Sequence, residues 1–166
     1  YQAINSKALE VMRNSKEEYN TRATACTIVM IAHLGLRLGD LLALRIGQLF
    51  TKTLPSGAEV HYIHYKSRKP SKPHDALLEF DIYSDSVCAE AFQTLIKIRK
   101  KCELSKGNDY LYVLNHTIHT KDELPIPNYR FNLEYLRFLK NYLPEESVKN
   151  WKGITKAKYN INPCKN

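Results

Sequence analysis

The chain has 166 residues, of which 43% are hydrophobic, and a formal net charge of +8. That is enough to close one core and too polar for a bilayer-embedded protein. No apolar run reaches the length of a membrane span. The opening Tyr1-Gln2-Ala3-Ile4-Asn5-Ser6 lacks both the charged and the apolar part of a signal peptide, and the missing initial Met reads as an excised piece. A sequence pI near 9.3 favours polyanionic partners, nucleic acid first, although many basic proteins bind nothing in particular. Cys26, Cys88, Cys102 and Cys164 show no CxxC spacing. They read as reduced, mostly buried thiols of a cytosolic protein rather than a zinc site.

In chain order, Ser6 to Arg13 reads as a short helix with Ser6 as N-cap and Ala8, Leu9 and Met12 on its apolar face. Asn14 to Glu17 is a polar break. A long helix follows from about Glu18 to Leu34. Its nearly all-apolar second half (Ile28, Val29, Met30, Ile31) places it in the middle of a bundle. Gly35 interrupts it, Arg37 sits in the joint, and a second amphipathic run covers Leu38 to Leu44.

The periodicity then changes. Gln48 to Thr53 reads as a short strand, Leu54-Pro55-Ser56-Gly57 as a turn with Gly57 at positive φ, and Glu59 to Tyr65 as a second strand. Lys66 to His74 is a basic, proline-bearing loop. Ala76 to Ile82 alternates, with Leu78, Phe80 and Ile82 on one face. The three pieces predict a small antiparallel sheet.

Ser84 is the predicted N-cap of a helix running to about Cys102. Lys97, Arg99, Lys100 and Lys101 lie near its end and complement the helix dipole there. Tyr110 to Leu114 is a short strand-like run, and Asn115 to Pro127 a loop. Asn128 is the predicted cap of a helix carrying Phe131, Tyr135, Phe138, Leu139 and Tyr142 at helical spacing. A weaker helix around Trp151 and a lysine-rich tail follow. The expected fold class is α+β: a mostly helical bundle with a small three-stranded antiparallel sheet, as a single domain over 1–166.

An arginine between two apolar helices has a fixed backbone and a free fork of donors, which suits a two-point grip on a phosphate. The plain alternative is a solvated arginine at an ordinary helix joint. Gly35-Leu36-Arg37-Leu38-Gly39-Asp40-Leu41-Leu42-Ala43-Leu44 resembles the first arginine box of the tyrosine recombinase (phage integrase) family. The element order over roughly Ser6 to Asn166 also resembles that family's catalytic domain. The resemblance implies that Arg37 binds the scissile phosphate of DNA. It implies that a lysine after the second strand, here Lys66, protonates the leaving 5′-oxygen. Lys69 and Lys72 compete with Lys66 for that role, and a basic hairpin tip can also be only a solvated loop. Asp40 stands where the family has an acidic residue, usually Glu; it would hold the guanidinium in orientation or cap the next helix.

The later boxes depart from the family. No His-x-x-Arg occurs. Ile161-Asn162-Pro163-Cys164 looks like the lead-in to that box, with Cys164 in the His position and the second arginine expected just beyond Asn166. Tyr142 and Tyr159 precede the expected box, so neither is assigned as the nucleophile that would form a 3′-phosphotyrosyl link.

The resemblance therefore implies the DNA-binding, N-terminal and central part of a site-specific recombinase or integrase domain, acting in DNA recombination and integration for a mobile element. Such a chain binds duplex DNA without cleaving it alone. DNA contacts are expected at Arg37, Lys66, Arg68, Lys69, Lys72, Lys156 and Lys158. No metal and no nucleotide cofactor is implied. The complete protein would be a tetramer on DNA in a bacterial or phage setting, cytoplasmic at the nucleoid, and this piece a monomer. Two alternatives stand beside it: a catalytically inactive DNA-binding protein on the same scaffold, and a helical protein-interaction module. A metal site from His61, His64 and His74 is disfavoured, because residues three apart on a strand face opposite sides.

Overall fold

The second helix organises everything else, because it is apolar on every side. A computed structural model describes residues 2–67, 79–115 and 124–145. In it α1 spans Gln2–Arg13, α2 Tyr19–Leu34, α3 Leu38–Leu42, α4 Ser86–Arg99 and α5 Asn128–Tyr142. Along α2 the buried residues include Ala23, Ala25, Cys26, Ile28, Val29 and Met30, together with Thr24 and Thr27. A helix with no polar face must be covered all round. α1, α4 and α5 do this, contributing Val11 and Met12, Phe92 and Leu95, and Phe131, Phe138 and Leu139.

Helix directions follow from contacts at the two ends of α2. His33, near its end, reaches Asp85 just before α4, whereas Tyr19 at its start lies against Arg99 and Cys102 at the end of α4. Gly39, just past α2, approaches Asn128 at the start of α5, and Tyr142 at the end of α5 donates to Glu17 just before α2. Thus α4 and α5 both run antiparallel to α2.

The sheet is antiparallel in the order β1 (Leu49–Thr53), β2 (Glu59–Lys66), β3 (Glu79–Ser84). Its register places Leu49, Ile63 and Ile82 in one cross-strand row and Phe50, Tyr62 and Tyr83 in the next. Ile63 is fully buried in the core, while Phe50 and Tyr83 are exposed on the opposite face. Gly57 takes φ 80° in the β1–β2 turn, as the sequence predicts. The α+β class and the three antiparallel strands therefore agree with expectation.

Several boundaries differ, each for a local reason. Ser6 lies inside α1, which starts at Gln2, so it caps nothing. α3 stops at Leu42, because Leu44 to Ile46 pairs with the 109–111 segment instead: Leu111 N–H donates to Leu44 O at 2.7 Å and Ile46 N–H to Asp109 O at 2.9 Å. The third strand runs Glu79–Ser84 rather than Ala76–Ile82; residues 76–78 lie outside the described residues. Ser84 is the buried last residue of that strand. The cap of α4 is Asp85, whose Oδ1 accepts from Cys88 N–H at 2.7 Å. α4 ends at Arg99, short of Cys102. Pro127, with extended backbone, holds the cap position of α5, and Asn128 is its first helical residue.

The run Tyr110 to Leu114 makes one bridge, Arg45 to Tyr110, and joins no sheet. Side chains of α2 take the place of a neighbouring strand. Tyr19 Oη donates to Val113 O at 2.9 Å, Asn20 exchanges two bonds with the Asn115 backbone at 2.7 and 3.0 Å, and Thr24 shares a 3.1 Å bond with Tyr112 Oη. The backbone polar groups of a buried segment need partners, and polar side chains on an otherwise apolar helix supply them.

Candidate functional site

The joint between α2 and α3 places Arg37. Gly35 ends α2 at φ 63°, a left-handed conformation that glycine adopts without steric cost. Arg37 then takes extended backbone (φ −63°, ψ 140°) in the cap position of α3, and its carbonyl accepts from the N–H groups of Asp40 and Leu41, both at 3.0 Å. Leu34, Leu41 and Leu42 are buried on either side, so the backbone at the joint is anchored from both helices. The Arg37 side chain itself is exposed. It makes no hydrogen bond or ion pair among the described residues. The arrangement is a fixed base carrying an unoccupied five-donor fork.

Asp40 is buried, and its backbone N–H donates to the Arg37 carbonyl at 3.0 Å. It lies in the first turn of α3.

Lys66, the last residue of β2, is paired with Glu79 at 2.6 Å across the sheet. The ammonium lowers the Glu79 carboxyl, chiefly through that hydrogen bond. On the same outer face His64 sits between Asp81 (2.7 Å) and Glu79 (3.5 Å). Arg37 and Lys66 are not bonded to one another. Arg68, Lys69, Lys72, Lys156, Lys158 and Cys164 lie outside the described residues.

Tyr142 is occupied in the bundle: its hydroxyl donates to Glu17 at 2.5 Å, and burial, followed by Glu17, pushes the phenol up to about 12. Cys26, Cys88 and Cys102 are free and buried. Burial raises the Cys26 thiol to about 12 and the Cys88 thiol to about 11, far from the range of a reactive thiolate. His61 bonds Thr51 at 2.9 Å, one residue out of phase with His64, so the two rings face opposite sides of the sheet. Among the described residues no group of three or more His, Cys, Asp or Glu can hold a metal ion, and no helix is long and apolar enough to cross a membrane.

A polar cluster that sequence spacing did not reveal joins three helices near this joint. His33 Nδ1 meets Asp85 Oδ2 at 2.5 Å, and its Nε2 faces Asn5 Nδ2 at 3.3 Å. Burial opposes the Asp85 carboxylate, but the Cys88 N–H and His33 outweigh it, so the carboxyl lies below its ordinary value. A depressed folded-state pKa stabilises the fold fully above the unfolded value of about 4, and the contribution is lost as pH falls through the folded value. Urea titrations from pH 7 to pH 2 should therefore show a steeper acid loss of stability in the parent than in Asp85→Asn, which keeps a capping oxygen and does not titrate. Equal acid limbs would remove Asp85 from the account. Only the N-terminal position of Asp85 in α4 was legible beforehand; His33 and Asn5, on other helices, were not.

Arg45 is a second such case: it pairs with Asp109 and lies 4.5 Å over the Tyr110 ring, tying the segment after α3 to the 109–111 segment. Comparison with protein-family models, with curated proteins and with solved structures gave no match.

Proposed function

We propose that the chain is the DNA-binding portion of a tyrosine-recombinase-like catalytic domain, gripping duplex DNA through its phosphates. The observation that carries this reading is Arg37: exposed, unpaired among the described residues, and borne on a backbone locked between buried helices. Its setting supports the reading, because two helices, an arginine joint, a short helix, a three-stranded sheet and a further helix follow in the order that the resemblance implies. In this reading Arg37 holds two non-bridging phosphate oxygens. Lys66 is the proton donor to the leaving 5′-oxygen, so its pair with Glu79 must open when DNA arrives. Strand exchange through a phosphotyrosine belongs to the complete protein, with Cys164 standing in the position of the family's histidine.

Arg37→Ala should weaken binding to a duplex, read by fluorescence anisotropy at low salt, by about 10- to 100-fold, the equivalent of losing charge-assisted hydrogen bonds. Arg37→Lys should recover only part, since an ammonium is a point charge without the fork. No duplex binding by the parent chain would reject the proposal in favour of a protein-interaction module. A covalent adduct of the complete protein on nicked duplex separates an active recombinase from an inactive DNA-binding relative.

A further inference from the structure

Six of the basic side chains described are neutralised by ion pairs. Lys7 pairs with Glu10, Arg13 with Glu90, Arg45 with Asp109, Lys66 with Glu79, Lys106 with Glu103 and Arg137 with Glu134. Lys97, Lys100 and Lys101 are different. All three are exposed, they lie within five residues, and none has an ion pair among the described residues. Lys97 lies in the last turn of α4, and Lys100 and Lys101 follow directly after its last residue, Arg99. Lys97 continues the outward stripe of α4 formed by Ser86, Glu90 and Gln93, and the two lysines after the helix extend the basic stretch past its end. The acid of that stripe, Glu90, is already held by both donors of Arg13.

The antiparallel packing places this basic stretch at the end of the bundle where α2 begins. Lys16, before α2, and Lys140, near the end of α5, are exposed at the same end and likewise unpaired among the described residues. Of the acids there, Glu103 is paired with Lys106. Glu17 and Glu18 accept only from uncharged donors, Tyr142, Asn14 and Thr21. At this end the five lysines Lys16, Lys97, Lys100, Lys101 and Lys140 outnumber the described acids Glu17, Glu18, Glu103 and Glu145. Arg37 lies past the other end of α2, whose 16 residues span about 24 Å.

We propose that Lys97, Lys100 and Lys101 form a second phosphate-contacting surface for duplex nucleic acid, at the opposite end of the bundle from Arg37. The inference rests on the DNA-binding reading and extends it to a site that the arginine box does not include. A membrane is the less fitting polyanion. None of the exposed large hydrophobic residues described lies on α4, so among the described residues no apolar anchor on that helix accompanies Lys97. Mutual repulsion of three adjacent ammonium groups is relieved when they displace the counterions condensed on a phosphate backbone.

The test measures affinity for one duplex of about 20 base pairs over a salt series. Four proteins are compared: the parent chain, Lys97→Gln/Lys100→Gln/Lys101→Gln, Arg37→Ala, and a charge-matched control, Lys7→Gln/Lys52→Glu, which also removes three units of positive charge. The triple variant should lower the slope of log affinity against log salt by about 2.7, at about 0.9 per phosphate contact. Its melting temperature should stay close to that of the parent. The control should change the slope by less than half as much. A parent that binds no duplex rejects the DNA reading itself. A parent that binds, with Arg37→Ala impaired and the triple variant unchanged in slope, rejects only the second surface. Equal slope changes in the triple variant and the control also reject it, since net charge alone would then explain the loss. If the triple variant loses binding to phosphatidylserine vesicles but keeps its duplex slope, the surface is a lipid contact and the proposal fails.

Discussion

Phe92→Ala should destabilise the fold by about 3–5 kcal/mol, the usual range for deleting a buried aromatic side chain. Phe92 is fully buried on the inward face of α4, in the same cluster as Met30 and Val29 of α2 and Leu95 of α4. Truncation removes the ring's transfer free energy and leaves a cavity between two helices that cannot close without moving α4 relative to α2. Domains of this size are stable by about 5–15 kcal/mol, so the variant should lose roughly a fifth or more of its margin. With an m value of about 2 kcal/mol per M, the urea midpoint falls by roughly 2 M while m itself stays constant. Phe92→Leu, which refills most of the volume, should cost less than half as much. A midpoint change under about 0.5 M for Phe92→Ala would mean that α4 does not pack on α2 through this residue. The consequence reaches the site, because α4 also carries Asp85, the partner of His33 close to the Arg37 joint.

Arg99→Ala should cost about 2–4 kcal/mol, the second largest effect. Sequence position grouped Arg99 with the lysines around it as a cation complementing a helix end. The fold buries it instead, to 7% exposure. Its Nη2 donates to Asn108 O at 2.9 Å and Asn108 Oδ1 at 3.3 Å, with Ser105 O at the 3.5 Å limit. Hydrogen bonds from a charged donor contribute about 1.5–3 kcal/mol, and removing the donor also strands acceptors that lie partly out of water. The guanidinium thus closes the turn after α4 and sets where the 108–111 segment meets Arg45. Two further variants identify the source of the loss. Arg99→Met keeps the apolar stem without donors, and should recover only the packing share. Equal stability of Arg99→Met and the parent would show that the hydrogen bonds contribute nothing net. Lys100→Ala, one residue on and exposed, should change stability by less than about 0.5 kcal/mol.

Chain polarity and periodicity carried a good deal of this. The five α-helices and three strands among the described residues follow from 3.6-residue and two-residue hydrophobic spacing, and the all-apolar character of Ile28 to Ile31 by itself requires a central helix. Gly35 and Gly57 mark their left-handed positions because other residues pay a steric penalty there. Arg37 was likewise legible, since a joint between two apolar runs leaves an arginine only one way out. Caps were less so. Ser84 and Asp85 both suit a helix start, and pairing of Ser84 with His61 in the sheet decided for Asp85.

Apart from the i, i+3 pairs Lys7–Glu10, Glu103–Lys106 and Glu134–Arg137, which follow from local spacing, tertiary structure decided which charges are free. Lys66 and Lys97 are alike in sequence, yet one is paired across a strand with Glu79 and the other is unpaired among the described residues, because partners come from elements distant in the chain. The same holds for Arg99, buried while its neighbours are exposed, and for Tyr110 to Leu114, whose β character is satisfied by side chains of α2 rather than by a strand. Local patterning fixes what each segment is, through backbone sterics and the segregation of apolar groups from water. Which polar groups meet across segments depends on how the segments are packed, and that geometry is not written in the spacing of any one of them.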